Sequence, residues 1–188
     1  MRFVFCPMCV AKLEMSISQF EHVERLSCPK CGFIDYNNSR PTVSALILND
    51  KNEVLLVRRA WHPFQGYLDV PGGFLESGEH PHHGLIREIK EELNADISFD
   101  KIPFTMECDV YDDLLKDVNF ASKGCPTLNI FFLTKLVGSS PRVNDRELAG
   151  MEWIDMKTVI EILDKVAFKS NQVALIKLHN HLFGVKNV

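Results

Sequence analysis

Two cysteine pairs, Cys6-Pro-Met-Cys9 and Cys28-Pro-Lys-Cys31, stand 18 residues apart near the start of a 188-residue chain. No other feature narrows its folding options as tightly. Each pair has the C-x2-C spacing of a turn that aims two sulfurs the same way, and two such pairs at this separation suit a four-thiolate tetrahedral zinc site. A disulfide framework would need an oxidising compartment, and the opening MRFVFCPMC lacks the long apolar stretch of a secretory signal. A redox C-x2-C calls for one pair beside a strand and helix rather than two matched pairs. Roughly 30 residues cannot bury enough apolar surface to fold unaided, so bound metal would supply the folding free energy. Structural zinc is therefore expected on Cys6, Cys9, Cys28 and Cys31, within a small ribbon over residues 1–36. Cys108 and Cys125 lie near strand-like segments and read as small buried hydrophobes.

After Cys31 the passage GFIDYNNSRP collects turn formers and marks a boundary, leaving residues 37–188 for a second domain. The strand patterns TVSALIL (Thr42–Leu48) and EVLLVRR (Glu53–Arg59) flank the turn NDKN and predict a hairpin. LNIFFLTKLV (Leu128–Val137) predicts a further strand, and helical periodicity marks about Met156–Lys165 and, behind a Ser170 cap, Asn171–Phe183. Strands and helices mixed at these lengths imply an α+β domain, a sheet covered by helices. With 46% apolar and 24% charged residues the chain can bury a core. Its net charge of −4 excludes general attraction to nucleic acid or anionic membrane, so a polyphosphate ligand would need local cations. No apolar run approaches the roughly 18 residues of a membrane helix, and the expected compartment is the cytoplasm. Residues 1–36 hold four Lys or Arg and four Asp or Glu, which gives no basic stripe to the alternative that the ribbon reads nucleic acid.

The richest segment is PGGFLESGEHPHHGLIREIKEELNA, Pro71–Ala95. Ile86, Ile89 and Leu93 recur at helical intervals, Pro81 suits a first helical position, and Asn94 suits a left-handed cap, so a helix is expected over Pro81–Leu93. Glu88, Glu91 and Glu92 share a neighbouring face, where like charges at i, i+3 and i+4 cost roughly 0.2–0.5 kcal/mol per pair. Gly72 and Gly73 let the preceding loop bring backbone close to a ligand. Carboxylates beside such a loop suit magnesium, a hard cation that binds one or two carboxylates together with substrate phosphates. A salt-laced solvent face is the competing reading, because Arg87 and Glu91 are i, i+4 partners. His80, His82 and His83 read as surface residues rather than ligands, since Pro81 interrupts them.

Gly73, Glu79 with five residues between them, then Arg87-Glu88-Ile89-x-Glu91-Glu92 with seven more between, resembles the Nudix box of hydrolases that cleave nucleoside diphosphates linked to another group. Asn94 stands where that pattern usually has glycine. A zinc ribbon followed by such a domain is similar to the NADH pyrophosphatase branch and its relatives. The array SQPWPFPxS of the NADH-directed members is replaced here by DISFDKIPFTMECDVYDD, so NADH preference is not implied. Tyr111 lies near where dinucleoside polyphosphate hydrolases place a tyrosine.

The resemblance implies an α/β/α sandwich with a mixed sheet behind the ribbon. It also implies magnesium, or manganese in its place, on Glu88, Glu91 and Glu92, with a backbone carbonyl from Gly72 or Gly73. Arg87 would orient the carboxylates through Glu79 or Glu88, and Glu76 and Glu79 would line the cofactor site. Glu88 or Glu147 would serve as base or further ligand. Arg58 and Arg59 are the candidate phosphate cations, with a solvated strand end as the even alternative. The implied activity is magnesium-dependent hydrolysis of a diphosphate linkage, with ADP-ribose or a related adenine dinucleotide the favoured small-molecule substrate. A nucleotide-sensing module of the same fold is the alternative, no membrane partner is expected, and homodimerisation stays open.

Overall fold

The computed structural model describes residues 3–17, 22–110, 126–138, 140–144 and 146–184. Tyr111 and Cys125 lie outside them. The described residues form two compact units, 3–39 and 40–110 with 126–184.

The first unit is a three-stranded antiparallel sheet of β1 (Glu14–Ile17), β2 (Glu24–Ser27) and β3 (Ile34–Asp35). Among the described residues its buried core is Cys6, Leu13 and Cys28, with Cys9, Ala11, Leu26 and Phe33 packed around them. Two matched turns present the thiols. Val10 N–H donates to Cys6 O at 2.9 Å and Gly32 N–H to Cys28 O at 3.0 Å, and the residue after each pair turns left-handed, at φ 62° for Val10 and 76° for Gly32. A β-branched residue disfavours that conformation, so Val10 shows how firmly the turn is imposed.

The second unit is built on two sheets. One joins β4 (Arg40–Ile47), β7 (Gly72–Phe74), β8 (Asp96–Phe99), β9 (Thr105–Val110) and β10 (Pro126–Val137); the other joins β5 (Glu53–Arg59), β6 (Leu68–Asp69) and β11 (Leu148–Asp155). Helix α1 (Pro81–Leu93) covers one side and α2 (Lys169–Phe183) the other. Strand alternation sorts the core. Val43, Ala45 and Ile47 of β4, with Leu55 and Val57 of β5, meet Leu85, Ile89 and Leu93 of α1. Leu46, Val54 and Leu56 face Ala174, Leu175 and Leu178 of α2. The result is the α/β/α sandwich with mixed strand directions.

Three expectations need correction. β4 and β5 do not form a hairpin ladder; beyond the turn they share one isolated bridge, Leu48 with Val54, and belong to different sheets. β4 instead runs parallel to β10 over eight residue pairs and antiparallel to β7, which satisfies both its edges. The segment after Met156 is a 3-10 helix, Val159–Lys165, in which only Val159 is buried. α2 begins at Lys169 behind Phe168, not at a Ser170 cap; the Ser170 N–H is taken by Asp109 Oδ2 at 3.0 Å.

Cys108 is also exposed rather than buried. On β9, Glu107 bonds to Lys177 of α2 and Asp109 to Ser170, so alternation turns Met106 and Cys108 outward. No helix among the described residues is long and apolar enough to cross a membrane.

Candidate active site and thiol cluster

The loop before α1 is shaped by what lies against its glycines. Gly72, at φ 143°, has β4 so close that an added Cβ would collide with Val43 O. At Gly73 an added Cβ would sit 2.6 Å from both carboxylate oxygens of Glu88. The loop and the glutamate face of α1 are therefore in contact, and only glycine permits it. α1 starts at Pro81 with His80 as its cap and ends with Asn94 left-handed at φ 45°, as the cap reading required.

Arg87 organises this face. Its Nε and Nη2 make a fork onto Glu79 at 2.9 Å each, Nη1 reaches Glu88 at 2.8 Å and Glu91 at 3.2 Å, and Nη2 also donates to Phe74 O at 3.0 Å. All five donors of the guanidinium are engaged. The bonds to Glu79 lead in holding Arg87 protonated well beyond its ordinary range, and they pull the Glu79 carboxyl down to about 2. Glu79 also accepts from Glu76 N at 2.9 Å, so Glu76 contributes backbone while its side chain is exposed.

Glu92 is different. It is 9% exposed, accepts Gly72 N–H at 2.9 Å, and has no cationic partner among the described residues. Burial, then the charges of Asp69, Glu88 and Glu147, push its carboxyl well above the usual range. Burial likewise raises Glu88, against the pull of Arg87. Glu91 stands apart: its side chain is 55% exposed and turned to Arg87, so the three glutamates do not converge on one point as the thiols do. The i, i+4 pair of the competing reading thus exists for Glu91 but does not extend to Glu92. A buried carboxylate repelled by its neighbours and lacking a counter-charge fits a divalent cation held by oxygen ligands.

The loop carrying Glu147 is tied to the end of α1. Arg142 N–H donates to Leu93 O and Asn144 N–H to Glu92 O, each at 2.8 Å, and Asn144 Nδ2 donates to Glu91 O at 3.1 Å. These bonds satisfy carbonyls a helix end leaves open and bring Glu147 near enough to act on Glu88 and Glu92. Asn144 was not singled out from sequence, although an Asn-Asp-Arg run is a turn signal. Gly84 was also missed. An added Cβ there would meet Leu75 and Glu79, and a glycine inside a helix, costly by about 1 kcal/mol against alanine, was the available clue.

Arg58 and Arg59 are already partnered. Arg58 pairs with Glu152 and bonds Gly66 O, while Arg59 pairs with Asp69 at 2.5 Å and donates to Pro63 O. Asp69 also accepts from Asn171 at 2.5 Å, and burial, which outweighs Arg59, raises it to about 6. The three histidines sit at the start of α1, where His82 packs on Phe99 and Phe132 and bonds Lys101 O.

In the first unit the ligand atoms of Cys6, Cys9, Cys28 and Cys31 lie within 4.8 Å of one another. Cys6 and Cys31 are 3.5 Å apart, Cys9 and Cys28 3.4 Å, and all four are free thiols. A tetrahedron with sulfur about 2.3 Å from zinc has edges of about 3.8 Å, so the cluster is close to the size a metal needs. Burial opposes ionisation of Cys28, but the N–H groups of Cys31 and Lys30 and the neighbouring thiols bring it down to about 6.

Residues 38–176 match the NUDIX domain model and residues 4–37 the model described as Nudix N-terminal. Among curated relatives, an ADP-ribose pyrophosphatase of Methanocaldococcus jannaschii is 46% identical over 46 residues, covering 24% of this chain and 27% of that protein. The NAD-capped RNA hydrolase NudC of Vibrio atlanticus is 25% identical over 162 residues, covering 84% of this chain and 51% of that protein. The chain thus spans about half, or less, of the length of these relatives. A crystal structure of a NUDIX hydrolase from Nitrosomonas europaea superposes with a TM-score of 0.74 at 23% identity, covering 97% of this chain and 94% of that one.

Proposed function

Since the chain belongs to the Nudix family, we propose that it hydrolyses the diphosphate linkage of a nucleoside diphosphate derivative, with ADP-ribose or a related adenine dinucleotide as substrate. The observation that carries this reading is Glu92, buried on the Gly72 amide without a counter-cation among the described residues. Glu88 and Glu92 would hold magnesium or manganese, with a carbonyl of Gly72 or Gly73, and Glu91 would turn from Arg87 to join them. When bound, such an ion neutralises charge on the phosphoryl oxygens and acidifies water.

The chain's own residues do the rest. Arg87 locks Glu79, Glu88 and the Phe74 carbonyl that follows the two glycines into one rigid unit, so the carboxylates are oriented before substrate arrives. Water adds to phosphorus as the anhydride P–O bond breaks, and no covalent intermediate on the protein is needed. Glu88, half-buried and held by Arg87, or Glu147 takes the proton. ADP-ribose and an NAD cap, named for the two relatives, share an adenine nucleoside diphosphate, which supports the substrate class. Residues 1–36 are the ribbon, holding one structural zinc, and 37–188 the catalytic domain; free thiols suit a cytoplasmic location.

The test is a panel of NADH, ADP-ribose, dinucleoside polyphosphates, sugar nucleotides and coenzyme A derivatives, run with magnesium in heavy-oxygen water. Label should enter a phosphate-bearing product and an adenine diphosphate should lead the panel. Label found only in a sugar or base product, or tight binding with no turnover, would replace hydrolysis at phosphorus with another reaction or with sensing.

A further inference from the structure

Trp61 is a large aromatic left in solvent and yet held in place. It is 66% exposed, and its indole Nε1–H donates to Arg146 O at 2.8 Å, across 85 positions of sequence. The next peptide on each side is joined too, Ala60 N–H to Glu147 O at 3.3 Å. The indole is thereby anchored by its edge to the residue immediately before Glu147, whose charge acts on Glu88 and Glu92. With its one polar atom satisfied, what the side chain offers solvent is π surface.

Other aromatics nearby are committed. Phe64 packs against Tyr67 and Phe168 at centroid distances of 5.4 and 5.0 Å, and Phe168 also lies under the Arg59 guanidinium. No ring of another described residue packs on Trp61. Arg146, whose carbonyl holds the indole, has an exposed side chain without an ion-pair partner among the described residues. An anchored π face, held by the backbone of a residue whose own side chain is an exposed cation, matches the two recognition elements of a nucleotide, its flat base and its phosphate.

We infer that Trp61 is the platform on which the nucleobase of the substrate stacks, and that it sets the preference for base-bearing over base-free diphosphates. This rests on the hydrolytic reading for its substrate, but its test does not depend on turnover. In a Trp153→Phe background Trp61 is the sole tryptophan. Its fluorescence should be quenched saturably by AMP and not by ribose 5-phosphate. Trp61→Ala should weaken AMP binding by about 10-fold in calorimetry, the size of one lost base–aromatic stack. Trp61→Phe, which keeps a π face but loses the N–H, should retain most of the affinity.

Unchanged Trp61 emission at saturating AMP, equal AMP affinity in Trp61→Ala, or no AMP binding by the unaltered protein would each overturn the platform. If Trp61 only tethers the Glu147 loop, both substitutions would lower kcat and leave AMP binding alone. Quenching by AMP without hydrolysis of any diphosphate would sink the hydrolytic reading and leave the platform standing.

Discussion

The ribbon and the Nudix unit hold themselves together by opposite means. Among its described residues the ribbon buries two cysteines and one leucine and gathers four thiols; the Nudix unit packs two apolar clusters on either side of its strands, in which its carboxylates take no part. In the first, a ligand site is the core. In the second, the core is complete and the ligand site is an electrostatic burden it tolerates. Removing metal should therefore unfold one region and merely silence the other.

The largest effect should come from attacking the thiols. Structural zinc sites of this type contribute apparent binding energies of about 10–16 kcal/mol. Chelation, or Cys28→Ser, should abolish amide-exchange protection in residues 3–37 while strands β4, β5 and β10 stay protected. Elemental analysis should find about one zinc per chain. Freely titrating thiols in the native protein, or joint loss of protection in both regions, would erase the contrast.

Next comes Asp69. Burial lifts its folded pKa to about 6, above the unfolded value of about 3.9. A carboxyl raised in this way adds stability that is complete below the unfolded pKa and disappears as pH climbs through the folded one. The stability difference between the unaltered protein and Asp69→Asn should thus fall by up to about 3 kcal/mol from pH 3 to pH 7. Urea titrations across that range check it, and only the Nudix unit should carry the difference between the two proteins.

Arg87→Ala should cost about 2 kcal/mol, less than a fully buried pair because the side chain is 28% exposed. It should lower turnover far more than KM, and Arg87→Lys should recover little, since an ammonium cannot reproduce the fork onto Glu79. The smallest effect is expected at Gly84→Ala. A gain of about 1 kcal/mol in helix propensity opposes an overpacking cost of about 1–3 kcal/mol against Leu75 and Glu79, so a modest net loss should appear in thermal melts.

Legibility followed range. The thiol pairs, the helix Pro81–Leu93 and its Asn94 cap depend on neighbours within a turn or two, and these could be read directly. Strand partnership could not: β4 and β5 look like a hairpin locally, but β10, 87 positions away, offers β4 the longer ladder. β9 was not read as a strand, and which of its faces meets α2 depends on Lys177 reaching Glu107. Arg58 and Arg59 looked available because Glu152 and the buried Asp69 become neighbours only in the fold. Around the box, the pattern marked the glutamates, while the tie from Asn144 to the end of α1 needed the tertiary loop.

Glu92→Gln puts the contrast to its most direct test. The amide keeps the acceptor for Gly72 N–H and almost the same volume, but removes a buried charge that three carboxylates repel. Unfolding without metal should shift to equal or higher denaturant, a gain of a few tenths of a kcal/mol or more. Turnover at saturating magnesium and substrate should fall by roughly 150-fold, corresponding to about 3 kcal/mol of transition-state stabilisation. Full turnover in Glu92→Gln, or a stability loss that accounts for the lost activity, would contradict the assignment of this carboxylate to a metal site.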